Sequence, residues 1–338
     1  MIQLLLILFL SADEVPVSTI DLESHGILSF DLPMAISPDG HIGILDTTNY
    51  QVVIIDPEGK LHAKAGRKGK GPGEFAWMSF ITWSEEHNGF AAFDYGNHRV
   101  SIWNKQGKLV KEYKIYASIA KGYLAGSKNL IVGLHTRGLR KRTPGLYKVE
   151  LADAMSKPNK LWEASLDKPL AFNDIAGRPS VFKWDARMVF AAGEGFLAVN
   201  FNQSDTIDII DFNGKKLADS IQPELPRYKL TDEAIKSVMD TFPPGTTKPS
   251  LGKMIRPEYW PTISQIQIDS HKRIWVFGYP QMGEGPQPYQ VISMTGEVIK
   301  KGIVDRIPKF VQNNKIYFMS SDIDEDSKVF IEIYDFKQ

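Results

Sequence analysis

The chain is 338 residues long, with 43% hydrophobic and 24% charged residues, which excludes a disordered or collagen-like protein and suits one large all-β domain. Forty Lys and Arg cancel forty Asp and Glu, so the net charge is +0 and the basic excess typical of a nucleic-acid binder is missing. There is no cysteine, which removes disulfide frameworks, thiolate metal centres, iron–sulfur clusters, a cysteine nucleophile and a lipidated-cysteine anchor.

Residues 4–10 form an unbroken apolar run, followed by Ser11, Ala12 and the acidic pair Asp13 and Glu14. Such a run is too short for a bilayer-spanning helix, which needs about 20 residues. A short apolar run ending in a small residue has the form of a secretory signal. Residues 1–12 therefore read as a signal peptide cut after Ala12, with 13–338 as a single exported domain, periplasmic or extracellular, and no transmembrane segment. No Lys or Arg precedes the run, so a buried first strand is the alternative.

A repeat follows. The stretch from Asp39 to Lys60 superimposes without gaps on the stretch from His87 to Lys108, placing Asp46 on Asp94, Asn49 on Asn97 and Gly59 on Gly107, each 48 residues apart. Each copy holds two apolar runs separated by Asp-x-x-Asn and then a glycine turn, which predicts strand, tight loop, strand and hairpin. Asp and Asn at that spacing can bond loop amides, so the pattern is first a folding device. Weaker copies open at Asn129, Gly195, Ile266 and Asn314. A fixed period of this length means stacked or radial units, and six four-stranded units make a closed β-propeller, with seven as the alternative. The run 329–336 reads as an inner strand of the last blade, and the segment 15–22 as a strand completing that blade from the N-terminal side.

Residues 222–257 break the rhythm and carry a helical pattern near 231–242. Thr231 is placed to cap, Asp232 and Glu233 suit the first turn, and Pro243 and Pro244 stop it. Ala234, Ile235, Val238, Met239 and Phe242 share one face, which suits packing against the propeller, with a mobile lid as the alternative.

The stretch Gly69, Lys70, Gly71, Pro72, Gly73, Glu74, Phe75, followed by Asp94, Tyr95, Gly96, Asn97, His98, Arg99 and Val100, resembles the NHL-repeat signature. Taken whole, the chain is similar to the bacterial six-bladed propellers of the NHL/TolB-like group, many of them exported. The match is strong over 36–115, weak over 116–220 and partial again from Tyr259 to Phe277; the first unit has Asn49, Tyr50 and Gln51 where Asn-His-Arg is usual. The resemblance implies the fold, with Asp46, Asn49, Gly71, Pro72, Gly73, Phe75, Asp94, Asn97, His98 and Arg99 as structural repeat residues. Propellers of this kind include binding scaffolds and unrelated enzymes, so fold does not fix activity.

Local motifs for chemistry are absent from the sequence. The glycine-rich stretch 66–73 lacks the Gly-Lys-Ser/Thr of a phosphate loop and reads as an inter-blade connection. Asp322, Asp324 and Asp326 begin like a calcium loop, but Ser327 stands where Gly is needed and Ile333 where Glu is needed. There is neither a His-Glu-x-x-His nor a Gly-x-Ser-x-Gly pattern, so no catalytic or metal residue is assigned. The most asymmetric feature is the basic stretch holding His135, Arg137, Arg140, Lys141 and Arg142, which reads as a solvated hairpin loop or as an anion-binding lip. Arg67, Lys68 and Lys70 form a second basic stretch.

The leading functional reading is a non-catalytic, monomeric, cofactor-free propeller that binds a protein, peptide or glycan on one rim, with no nucleic-acid partner. The alternative is a metal-dependent enzyme of the lactonase or lyase type, with a divalent cation such as Ca²⁺ in the central channel. Three or more Asp, Asn, Glu or His converging on the channel would favour the enzyme.

Overall fold

The computed structural model describes residues 8–10, 15–29, 32–115, 122–126, 129–134, 145–151, 159–163, 188–201, 204–240, 258–281, 285–321 and 328–336. It is a six-bladed β-propeller. Blade 1 is an antiparallel sheet of Met34–Ile36, Ile42–Asp46, Gln51–Ile55 and Leu61–Ala65. Blade 2 runs through Met78–Ser84, Gly89–Asp94, Arg99–Asn104 and Leu109–Lys114. Blade 3 is Gly122–Ala125, Asn129–Leu134, Gly145–Glu150 and Asn159–Glu163. Blade 4 has Met188–Gly193, Phe196–Phe201 and Asp208–Asp211, extended outward by bridges from Ile207 to Ile221 and from Ile210 to Lys216. Blade 5 is Ile263–Ile268, Ile274–Gly278, Gln287–Ile292 and Val298–Val304, and Leu8–Leu10 pairs in parallel with its outer strand.

Blade 6 closes the ring. Its sheet order is Phe310–Gln312, Lys315–Ser321, Val329–Asp335 and then Ser18–Asp21 from the other end of the chain. The segment 15–22 thus supplies the outermost strand. The C-terminal run, expected as an inner strand, is instead third from the axis: it has a partner on each side, Lys315–Ser321 inward and Ser18–Asp21 outward.

Why these sequences make blades follows from their burial. In blades 1 and 2 the second strands, Ile42–Asp46 and Gly89–Asp94, are buried at every position, because both faces of a middle strand press on neighbouring blades. Outer strands such as Leu109–Lys114 are half-buried or exposed at every position. Since side chains alternate across a strand, one strand feeds two cores. Ile44 and Val53 pack toward blade 6 with Ile331, while the adjacent Leu45 and Val52 pack toward blade 2 with Phe75, Phe90 and Trp103. Phe93 and Ile102 then meet Leu130 and Val132 of blade 3, and Ile131 and Leu146 meet Phe190 and Leu197 of blade 4. Ala198 and Ile209 meet Ile266 and Ile274 of blade 5, and Trp275 and Tyr289 meet Val311 and Phe318 of blade 6. Each junction between blades therefore has its own apolar core.

Polar clasps reinforce two junctions. Between blades 5 and 6, Asp269 accepts from Arg273 Nε at 2.6 Å and Trp275 Nε1 at 3.0 Å. Arg273 also donates to Asn314 Oδ1 at 2.6 Å, and Asn314 O receives the Phe336 amide. Between blades 1 and 2, Lys105 reaches Asp39 at 2.5 Å. Burial opposes ionisation there, but hydrogen bonds from Lys105 and Ser37 hold the Asp39 carboxyl well below its ordinary value.

The inserted helix is Asp232–Asp240. Thr231 Oγ1 accepts the Ala234 amide at 3.2 Å, as an N-cap does. Ala234 and Ile235 are buried against Leu230, Trp260 and Tyr279, so this turn of the helix packs on the propeller. Among the described residues no helix is long and apolar enough to cross a membrane.

Candidate functional site

Antiparallel blades put their loops on two faces. The loops joining second to third strands, and the connections from the fourth strand of one blade to the first of the next, emerge on the same face. In blades 1 and 2 that face carries the two Asp-x-x-Asn loops and the glycine-rich connection between them.

Asp46 Oδ1 accepts the amides of Thr48 and Asn49, each at 3.1 Å, while Oδ2 accepts Asn49 Nδ2 at 2.7 Å. Asp94, fully buried, repeats this with Gly96 and Asn97. It does more. Its carboxylate also accepts the Ala76 amide at 3.0 Å and the Trp77 amide at 2.8 Å, so it ties the loop to the segment entering the innermost strand of blade 2. Asn97 Nδ2 donates to Gly69 O at 2.9 Å, and Arg99 donates to Glu74 O at 2.8 Å and lies 3.3 Å from the Glu112 carboxylate. His98 and its counterpart Tyr50 both take left-handed backbone angles, φ 51 and 59, at the tip of the tight loop. In blade 4 the same repeat position is Asn200, whose amide donates to Ser204 O and Thr206 O, so its role is reversed from acceptor to donor.

The connection itself is locked from inside. Gly71 N donates to Glu74 Oε2 at 2.7 Å, Arg67 Nε donates to Glu74 Oε1 at 2.8 Å, and Gly73 N donates to Glu112 at 3.0 Å. Gly73 has φ 68 and a Cβ there would lie 2.7 Å from Trp103, so glycine is required twice over. Pro72 is exposed at the tip, and Phe75 is buried in the core between blades 1 and 2. The Gly71 amide first, and then Arg67, hold the Glu74 carboxyl below its ordinary value. A carboxyl lowered on folding stabilises above its ordinary value, and that contribution is lost as pH falls through the folded one. Acidification below about pH 4 is therefore expected to loosen this connection. Protection of the Gly71 amide, measured by NMR as its exchange rate relative to the intrinsic rate at each pH, should fall from pH 7 to 3 in the parent and lose this pH step in Glu74→Gln.

This scaffold presents an aromatic pair. Trp77 is 68% exposed and Tyr95 41% exposed, their rings 6.2 Å apart and perpendicular. Tyr95 is also 5.7 Å from the His98 ring. Lys68 sits over Tyr50 at 5.2 Å, and Arg67, Lys68 and Lys70 are exposed. Neither Trp77 nor Tyr95 was singled out from sequence as a binding residue, because nothing in a linear reading separates an exposed aromatic from a buried one beside it, such as Phe75. Of the basic stretch, His135, Arg137, Arg140, Lys141 and Arg142 lie outside the described residues. The strand ends that flank it, Leu134 and Gly145, pair with one another on this same face. Positions 322–327, with their calcium-loop-like acids, also lie outside the described residues.

Among the described residues, the six innermost strands contain no Asp, Asn, Glu or His; their polar side chains are Ser, Thr, Gln, Tyr and Trp. No cluster of three or more His, Asp or Glu that could hold a metal ion occurs among the described residues.

Comparison with known proteins places the fold. No protein-family model matches the chain, and no curated protein matches it by sequence. A solved structure of a DUF4221-family member from Bacteroides vulgatus is similar over 95% of this chain and 98% of its own, with a TM-score of 0.60 and 13% identity. A Bacteroides fragilis protein described as a candidate exported protein is similar over 96% of this chain and 98% of its own, with a TM-score of 0.52 and 12% identity. Virginiamycin B lyase from Staphylococcus aureus covers 95% of this chain and 88% of its own at a TM-score of 0.46 and 12% identity. At these identities the likeness to the two Bacteroides structures bears on the fold alone.

Proposed function

We propose that the protein is an exported, non-catalytic propeller of the NHL/TolB-like kind, acting as a monomer without a cofactor, that binds a protein, peptide or glycan on the face bearing Trp77 and Tyr95. The observation that carries this reading is the aromatic pair, exposed to solvent on a loop system that Asp94, Asn97 and Arg99 hold rigid. Exposed tryptophan on a pre-ordered frame binds with little entropic cost and is a favoured anchor of recognition. The alternative, a channel enzyme, would need carboxylate, amide or imidazole ligands for its metal from several blades. Export rests on the apolar run 4–10 and Ala12, and the NHL assignment on the shared geometry of Asp46 with Asn49 and Asp94 with Asn97.

The test is a printed array carrying both peptides and glycans, probed with the chain lacking residues 1–12. Trp77→Ala with Tyr95→Ala should lower the strongest signals about tenfold or more while leaving the chain folded, since neither ring belongs to a buried core and the two are 68% and 41% exposed. Replacing Arg137, Arg140 and Arg142 by Ala should weaken only anionic hits, and less so at high salt. Array signals that persist in the double aromatic variant, or hits consumed rather than retained, would overturn the reading.

A further inference from the structure

Blade 5 ends differently from its neighbours. Among the described residues, the outer strands of blades 1, 2 and 3 have no further partner, whereas that of blade 5, Val298–Val304, carries Leu8–Leu10 on its free side. The pairing is parallel, with Leu8 opposite Gly302, Phe9 opposite Ile303 and Leu10 opposite Val304. A strand edge is a row of unpaired N–H and C=O groups, and proteins usually shield it with charge, proline or a covering segment.

On its inner side Ile303 stands opposite Pro288. Proline has no N–H to exchange, and opposed residues of an antiparallel ladder alternate between bonded and unbonded pairs. The peptide groups of Ile303 therefore point away from Pro288 and toward Phe9, and those of Lys301, two residues earlier, point the same way. The charges that would guard this edge are held back on the fold. Lys301 Nζ lies 3.3 Å from the Glu224 carboxylate, and Lys300 sits over the Phe336 ring at 4.8 Å. Gly302, Ile303 and Val304 carry no charge, and Val298 and Ile299 at the other end of the strand are exposed. The edge thus suits an uncharged extended segment, and the segment it holds is an apolar one.

The covering strand and the ring closure are separate pieces of chain. Ser18–Asp21, which completes blade 6, lies after Ala12, and Leu8–Leu10 lies before it. A cut after Ala12 removes the cover from blade 5 and leaves the ring closed.

We propose that the outer edge of blade 5, from Lys301 to Val304, is a docking edge for an extended apolar strand of a partner protein, taken in the register of Leu8–Leu10 and uncovered when residues 1–12 are removed. The uncovering rests on the cut after Ala12 proposed above; the edge itself makes no use of the Trp77 face. Main-chain bonds supply the affinity, and the apolar side chains of the incoming strand the selectivity. Before the cut, the tethered run competes at high effective concentration and keeps the edge closed.

Fluorescence anisotropy tests this with a labelled peptide carrying the sequence of residues 6–12, flanked by aspartates for solubility. It should bind the chain 13–338 at least about tenfold more tightly than the full chain. In this register the N–H groups at Leu8 and Leu10 face the edge and that at Phe9 faces away. N-methylation of the peptide at Leu10 should therefore abolish binding, and N-methylation at Phe9 should spare it. In 13–338, Ile303→Pro removes an outward N–H and no bond to the inner strand, so it should melt near the parent and lose the peptide; Trp77→Ala should keep it. If Ile303→Pro does not fold, the two N-methylated peptides decide alone. Absent binding by 13–338, equal binding by the two chains, or the same effect from both N-methylations overturns the docking edge and leaves the rim reading standing. Peptide binding that needs Trp77 also overturns it, by assigning the peptide to the rim. N-terminal sequencing of the exported protein tests the cut separately: a mature chain that keeps Leu8–Leu10 overturns the uncovering.

Discussion

Truncation after Lys328 is expected to abolish cooperative unfolding. The cut removes Val329–Asp335 together with Phe336, and with them four side chains that are almost fully buried: Val329, Ile331, Ile333 and Phe336. At about 2 kcal/mol each, their burial contributes on the order of 8 kcal/mol, within the range of a whole domain's net stability of about 5–15 kcal/mol. The loss spreads further, because among the described residues Ser18–Asp21 pairs with no strand other than Val329–Asp335 and would be released with it. Lys315–Ser321 would then become an unpaired, hydrophobic edge, which invites association with other chains. Urea unfolding monitored by tryptophan fluorescence should lose its single sharp transition, and the product should elute as aggregate. A gentler probe is Ile331→Ala, expected to cost about 3 kcal/mol through the cavity it leaves. A truncated chain that unfolds cooperatively near the parent's midpoint would show that blades 1 to 5 hold without the closing strand.

The second large effect is predicted for Asp94→Ala. Asp94 gathers the amides of Ala76, Trp77, Gly96 and Asn97 and the Asn97 side chain in one buried carboxylate. Leaving such donors without a partner costs about 1–3 kcal/mol apiece, and partial hydration near the loop surface brings the expected total to about 4 kcal/mol. Asp46→Ala should cost less, about 2 kcal/mol, because that side chain satisfies only its own loop. The difference between the two is the informative quantity, read from denaturant midpoints at matched slope. It measures what it is worth to tie a loop to the strand of its own blade that enters the ring's centre. Equal losses would mean that the bonds to Ala76 and Trp77 add nothing.

The same two aspartates mark where sequence reasoning stops. The identical spacing of Asp46 with Asn49 and of Asp94 with Asn97 points to a loop-capping role, since the bonds involved span two or three residues and are a property of local chain geometry. The bonds from Asp94 to Ala76 and Trp77 join residues 17 and 18 positions apart and have no local signature. Glu112 is a similar case. It reads as one more charge on an outer strand, yet it receives Gly73, Ser101 and Arg99 and so fastens the glycine-rich connection to blade 2. The C-terminal run was legible as a strand from its alternation, but its place in the sheet depends on which strand lies outside it. That strand comes from the opposite end of the chain.

What the amino-acid sequence determined by itself is the periodic part of this protein: a 48-residue unit, strands with tight turns, a helix starting at Thr231 and a six-fold count. These follow from backbone preference and from the alternation of apolar residues, both of which act over a few neighbours. Tertiary structure alone decided which face carries the loops, and that Phe75 is enclosed while Trp77 two residues later stands in solvent. The reason is geometric. Phe75 fills the wedge between blades 1 and 2, and Trp77 sits where the chain turns from that wedge into the innermost strand, so solvent exposure there is fixed by the ring's closure and not by the residue's own chemistry.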